Sequence, residues 1–190
     1  MRDGFISVAC GAPKLRLADC HYNAEQTFSM MRQAEKAGAK VLVLPELGLT
    51  GYTCGDLFYQ DTLLRSAEEA LATVLAATRP LEIITALGMP VQVNNKLYNC
   101  AVIIQKGEVL GVVPKTNLPN YGESYERRQF APAPAENSTI LLLGQHVPFG
   151  TNLVFSCAGM PELTLGFEIC EDLDAPMSPS VALAAAGATI

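Results

Sequence analysis

Three side chains able to do chemistry stand directly after apolar runs. Glu46 follows Val41-Leu42-Val43-Leu44-Pro45 and precedes Leu47-Gly48-Leu49-Thr50-Gly51-Tyr52. A carboxyl at the mouth of an apolar strand is partly desolvated, which raises its pKa and suits a general base. Lys115 follows Val112-Val113-Pro114 in the same manner, a cation placed to hold an anion or an oxyanion. Cys170 ends the run Leu163–Ile169 and leads at once into Glu171-Asp172. Its thiol is expected to be presented at a strand-to-turn junction, and a helix N-terminus near Pro176–Ser178 would favour thiolate. Each residue alone has a plain alternative: a solvated strand-end acid, a surface lysine, a small core thiol. Together they make a site without a histidine, in which a thiol, a carboxylate base and a cation break an amide through a thioester.

The remaining reactive residues are weaker signals. Cys10 and Cys100 sit within apolar strands and read as core, whereas Cys54 and Cys157 lie in loops. With Cys20 the cysteines show neither CxxC nor a metal-ligand spacing, so they are expected as reduced thiols of a cytoplasmic protein, with no metal. His21 and His146 lack a local Ser, Asp or Cys partner. Gly48 and Gly51 follow a strand without phosphate-loop spacing, so no nucleotide site is expected.

Composition bounds the rest. The chain has 190 residues, and 13 Lys+Arg against 19 Asp+Glu give a net charge of −6. With 49% hydrophobic and 17% charged residues it is neither a disordered tail nor a charge-driven nucleic-acid binder. That length suits about one domain, able to bury roughly 70% of its unfolded surface. Phe5–Pro13 is apolar but meets Lys14 early and lacks a small-residue cleavage site, and Val181–Ile190 is too short to span a bilayer. No membrane association is expected.

The elements that must position these side chains alternate between strand and helix. Strands are expected at Phe5–Cys10 and Lys40–Leu44, with an amphipathic helix from Asn23 to Ala37 between them. Asp56 reads as the N-cap of a second helix running to Arg79–Pro80. Strands follow at Ile83–Met89 and Leu97–Gln105, and Lys106-Gly107-Glu108 turns the chain into Val109–Val113. Pro114–Pro134 is a long polar stretch of the kind that carries function. Further strands are expected at Thr139–Leu143, Thr151–Phe155 and Leu163–Ile169, then a helix from about Ser178 to Ala186. Ala188-Thr189-Ile190 reads as the start of another strand, which suggests a fold continuing beyond this chain.

Three blocks in order resemble the nitrilase, or carbon–nitrogen hydrolase, superfamily with its Glu–Lys–Cys set: Leu44-Pro45-Glu46-Leu47 with Thr50-Gly51-Tyr52, then Pro114-Lys115, then Glu168-Ile169-Cys170-Glu171-Asp172. A narrower likeness covers essentially the whole chain. Gly51-Tyr52-Thr53-Cys54-Gly55-Asp56-Leu57-Phe58, Leu97-Tyr98-Asn99 and Leu118-Pro119-Asn120-Tyr121-Gly122-Glu123, followed by Tyr125-Glu126-Arg127-Arg128 and Phe130, are similar to the amino-terminal glutaminase domain of glutamine-dependent NAD synthetases. The resemblance implies an α/β fold, a nitrilase-like α-β-β-α sandwich truncated at its carboxy-terminal side, over 1–190.

The resemblance also implies a function: glutamine amide hydrolysis through a Cys thioester, supplying ammonia to convert deamido-NAD to NAD in a synthetase domain absent from this chain. It makes Cys170 the nucleophile, Glu46 the base, Lys115 the stabiliser of the tetrahedral intermediate, and Glu126 the second glutamate that orients Lys115. Tyr52, Ser124 and Glu171 fall on glutamine-binding positions, Glu171 through the α-amino group. Ser124 replaces an aromatic residue usual in the family. No cofactor is implied for this domain; ATP and Mg belong to the synthetase domain, and a homo-oligomer is expected. The alternatives are a free-standing amidase on another small amide and a non-catalytic interaction domain.

Overall fold

A computed structural model describes residues 5–190. Strands β1 (Val8–Cys10), β2 (Val41–Val43) and β3 (Ile84–Val93) run parallel, linked by helices α1 (Cys20–Lys36) and α2 (Asp61–Thr78). Strands β4 (Lys96–Gln105) and β5 (Glu108–Pro114) extend the sheet antiparallel from β3. The β4–β5 hairpin closes on Lys106 and Gly107, both left-handed, as a two-residue turn between twisted strands requires. Strands β6 (Ser138–Leu142) and β7 (Gln145–Phe149) complete a seven-stranded sheet of order β1-β2-β3-β4-β5-β7-β6. A second sheet pairs β8 (Val154–Cys157) with β9 (Met160–Gly166), and helices α3 (Glu171–Asp174) and α4 (Pro179–Ala185) follow.

Side chains alternate across a strand, so each central strand serves two faces. Leu87, Met89 and Val91 of β3 and Cys100, Val102 and Ile104 of β4 join Met31, Leu71 and Val74 in one buried cluster with the helices. On the opposite face Ala86, Gly88, Asn99 and Ala101 line a cavity with residues 167–170. Phe155 of β8 lies against Gly111 of β5, where a Cβ would stand 3.0 Å from its ring. Leu183 of α4 covers Gly166 of β9 at the same distance. The layers are therefore helix, sheet, sheet, helix, the expected α-β-β-α sandwich.

Several expectations need correction. Helix α1 starts at Cys20, ahead of Asn23, because Asp19 caps it by accepting from the Tyr22 N–H. Asn23 instead joins the Arg16 backbone to the Leu49 carbonyl. Asp56 caps no α-helix: Gly55–Tyr59 is a 3-10 turn, α2 begins at Asp61, and Asp56 pairs with Arg128 at 3.0 Å. The strand expected at Thr151–Phe155 is replaced by β7, ending at Phe149, and β8, beginning at Val154. Pro148 obscures β7 in the sequence. Strand β7 meets β5 at a single register pair, Val112 with Phe149, so the missing N–H is tolerated there. Strand β9 ends at Gly166 rather than Ile169, which releases residues 167–170 from the sheet. Ile190 donates to the Thr164 carbonyl and accepts from the Gly166 N–H, the hydrogen-bond pattern of a parallel neighbour to β9.

Candidate active site

Glu46 is seated by a turn that leans on bare backbone. Beyond β2, the Leu44 N–H donates to the Ala86 carbonyl, and the chain then folds over Gly88 of β3. A Cβ on Gly88 would stand 2.4 Å from the Leu47 nitrogen and 2.5 Å from the Pro45 oxygen, so only glycine admits this approach. Leu47, fully buried at a φ of 52°, closes the turn, with its carbonyl accepting from the Thr50 hydroxyl and the Gly51 N–H. Lys115 is tied between the Asn99 carbonyl and the Ala133 N–H, which carries its side chain into the space between the sheets.

Cys170 occupies a sharper junction. Its backbone has φ 47° and ψ −107°, a sparsely populated conformation that costs on the order of 1–3 kcal/mol and recurs where a strand hands a nucleophile to a helix. Asp172 secures this junction. Its carboxylate, 1% exposed, accepts from the Thr116 and Asn117 N–H groups, the Asn117 side-chain amide and the Ile169 N–H. The segment that follows Lys115 is thereby pinned to the turn that presents Cys170.

The charged centre is built around Lys115, which is 0% exposed. Its Nζ donates to Glu46 Oε1 at 2.6 Å and to Glu126 Oε1 at 2.8 Å. An ammonium has three donors, so one remains for a third acceptor. Glu126 lies on a short 3-10 turn, Glu126–Arg128, within the long polar segment, and also accepts from the Tyr52 hydroxyl at 2.7 Å. Asn99 of β4 donates from Nδ2 to Glu46 Oε1 at 2.5 Å and lies 3.4 Å from Glu126 Oε2. Glu46, Asn99 and Cys170 line one cavity of about 230 Å³.

Two carboxylates around one ammonium leave the centre net negative, and the neighbouring groups respond. Burial pushes the Cys170 thiol above its ordinary pKa, the Glu46 charge pushes the same way, and Lys115 opposes them. The expected bias towards thiolate is thus reversed: the residue rests as a thiol beside a carboxylate that can take its proton. Burial works against the Lys115 charge, but hydrogen bonds and charges from Glu126 and Glu46 outweigh it and hold the ammonium above its usual range. The Tyr52 hydroxyl is raised by burial and then by its bond to Glu126, so it stays a donor.

The structure brings Glu46, Lys115, Glu126 and Tyr52 into one hydrogen-bonded network, with Cys170 beside Glu46. Glu171 follows Cys170 in the chain, but its carboxylate accepts from the Tyr121 hydroxyl at 2.6 Å and the two residues line a separate cavity from that of Cys170. Ser124 lies with Tyr52 and Glu126 in an adjoining cavity of about 290 Å³, not in the one that Cys170 lines. Asn99 and Asp172 lie within the matching sequence blocks, but motif reading gave neither a role. A polar residue inside the apolar strand Leu97–Gln105 is a usable signal for Asn99. Asp172, one of two adjacent acids in a turn, offers none.

A buried Glu–Lys–Glu network beside a strained cysteine, set between the two sheets of an α-β-β-α sandwich, defines a hydrolase site. The chain belongs to the carbon–nitrogen hydrolase family, whose pattern matches residues 7–190. It is 42% identical over 187 residues to the glutamine-dependent NAD(+) synthetase of Mycobacterium tuberculosis, a match covering 98% of this chain and 28% of that protein. The crystal structure of a glutamine-dependent NAD(+) synthetase from Cytophaga hutchinsonii superposes with a TM-score of 0.74 at 30% identity, over 87% of this chain and 28% of that one. An amidase from Nesterenkonia sp. shares the fold with a TM-score of 0.77 at 23% identity, over 99% of this chain and 64% of that one. The chain thus spans about 28% of the length of the synthetases it resembles.

Proposed function

We infer that this chain hydrolyses the side-chain amide of glutamine and that the ammonia serves NAD synthesis. The observation that carries the chemistry is the Lys115 ammonium held between Glu46 and Glu126 beside a Cys170 that rests as a thiol. As the Cys170 sulfur attacks the amide carbon, its proton passes to Glu46. Lys115 turns its remaining donor to the oxyanion, and the preformed network makes little reorganisation necessary. Collapse breaks the C–N bond, Glu46 returns the proton to the departing ammonia, and a thioester remains on Cys170. Glu46 then deprotonates a water that attacks the thioester, which restores the thiol and releases glutamate.

The choice of glutamine rests on the likeness to NAD synthetases across 98% of the chain. In this reading Glu171 receives the α-ammonium, Tyr52 and Ser124 shape the wall beside Glu126, and no cofactor takes part in the hydrolysis. A synthetase domain outside these residues uses ATP and Mg to transfer the ammonia to deamido-NAD, in a cytoplasmic homo-oligomer. Free thiols at all six cysteines suit a reducing compartment. Among the described residues no helix is long and apolar enough to cross a membrane.

The test is peptide-mapped labelling by an electrophilic glutamine analogue, with and without excess glutamine. One adduct on Cys170 that glutamine blocks supports the reading. An adduct that glutamine does not block moves the substrate to another amide, and absence of any adduct removes Cys170 from the mechanism.

A further inference from the structure

The charged centre is a closed ring, and only part of it belongs to the acid–base set. Lys115 Nζ joins Glu46 Oε1 to Glu126 Oε1, and Asn99 Nδ2 joins Glu46 Oε1 back towards Glu126 Oε2. The amide nitrogen carries two hydrogens, one for each carboxylate. Its orientation is fixed chemically, because the reverse would aim Oδ1 at two carboxylates. Asn99 is 1% exposed and sits within β4, and its Oδ1 has no hydrogen-bond partner among the described residues. The residue therefore keeps a buried acceptor unsatisfied while directing its donors to the two glutamates, an arrangement that fold stability alone does not favour.

The second consequence concerns Glu46. Both donors, Asn99 and Lys115, take Oε1, so neither occupies Oε2 of the carboxylate that acts on Cys170. A carboxylate with one oxygen clamped presents the other in a fixed direction. The groups facing Glu46 are Lys115 from the end of β5, Asn99 from β4, Cys170 from the junction after β9, and, further off, the Glu126 carboxylate and the neutral Tyr52 hydroxyl. Lys115 alone could rotate about a single contact, whereas the two donors together fix the plane of the carboxylate.

We propose that Asn99 is a positioning residue for the amide-cleaving reaction: it clamps Glu46 towards Cys170 and spaces the two glutamates across Lys115. This rests on the proposed hydrolase chemistry but not on glutamine as the substrate. The test is the pH dependence of Cys170 alkylation by iodoacetamide, read by peptide mapping and normalised to folded protein, in the unsubstituted protein, Asn99→Ala and Asn99→Asp. Alkylation that a carboxylate assists falls away in acid. Loss of a donor to the ionised carboxylate moves that acid limb upward by about one pH unit in Asn99→Ala. Asn99→Asp, which adds a third carboxylate, moves it further in the same direction. The near-neutral rate falls about tenfold or more in both variants. An unmoved limb in a folded variant overturns the proposal. So does failure of both variants to fold, which would make Asn99 a residue of stability. Glutamine hydrolysis is measured alongside: its absence in the unsubstituted protein tells against glutamine, while the alkylation limb still decides the role of Asn99.

Discussion

Asp172→Ala is expected to separate the two halves of the site, and its cost can be worked from four hydrogen-bond donors. The Asp172 carboxylate is buried and binds N–H groups of Thr116, Asn117 and Ile169 together with the Asn117 side chain, at 2.7 to 3.3 Å. Bonds to an ionised acceptor are worth about 1.5–3 kcal/mol each, and a buried N–H left unpaired costs about 1–3 kcal/mol. Ile169 is buried and loses its partner outright, whereas Thr116 and Asn117 are half-buried and water can replace part of theirs. Removing the charge also recovers the desolvation it had cost, which trims the total. The net expectation is a loss of about 3–5 kcal/mol, or roughly 6–20 °C in Tm for a domain of this size. Urea and thermal unfolding followed by circular dichroism give the number. Cys170 alkylation should slow in the folded fraction, because the turn no longer holds the thiol against Glu46. A stability change under about 1 kcal/mol with an unchanged alkylation rate would refute the reasoning.

Other consequences are equally direct. Gly88→Ala places a methyl within 2.4 Å of the Leu47 nitrogen, so the Glu46 turn must move; amide hydrolysis is expected to fall at least about 100-fold, tested by ammonia release. Cys170→Gly should be more stable than Cys170→Ala by on the order of 1 kcal/mol, since only glycine relieves the positive φ, and paired melting curves decide it. Glu46→Gln removes a charge that raises the Cys170 thiol, so the midpoint of thiolate formation should move down, and an unchanged or higher midpoint in ultraviolet titration counts against the electrostatic account. Lys115 has a raised pKa, so its contribution to stability is complete below its unfolded pKa of 10.5 and is lost as pH rises through the higher folded value. Chemical denaturation from pH 9 to 12 should show that alkaline loss, and it should be smaller in Lys115→Met.

The sequence by itself indicated the alternation of strands and helices and three positions able to do chemistry, whereas the sandwich layering came only through likeness to a family. Apolar runs of strand length, amphipathic helices between them and a polar residue after each run are local patterns, because backbone period and side-chain type are local properties. Glu46, Lys115 and Cys170 were therefore legible at separations of 69 and 55 residues. Glu126 and Tyr52 were legible only through likeness to a family. The element boundaries that failed lay where a distant partner took over: Asp56 gave up a helix cap for Arg128, and Pro148 hid a strand that one pairing to β5 suffices to hold. The tertiary structure alone decided that Asn99 and Lys115 share one oxygen of Glu46, that Asp172 ties residues 116 and 117 to the cysteine turn, and that the thiol is held up rather than lowered. Those facts depend on burial and on charges brought together from strands far apart in the chain, and the strength of an electrostatic contact is set by its distance and surroundings in space, which no local pattern encodes.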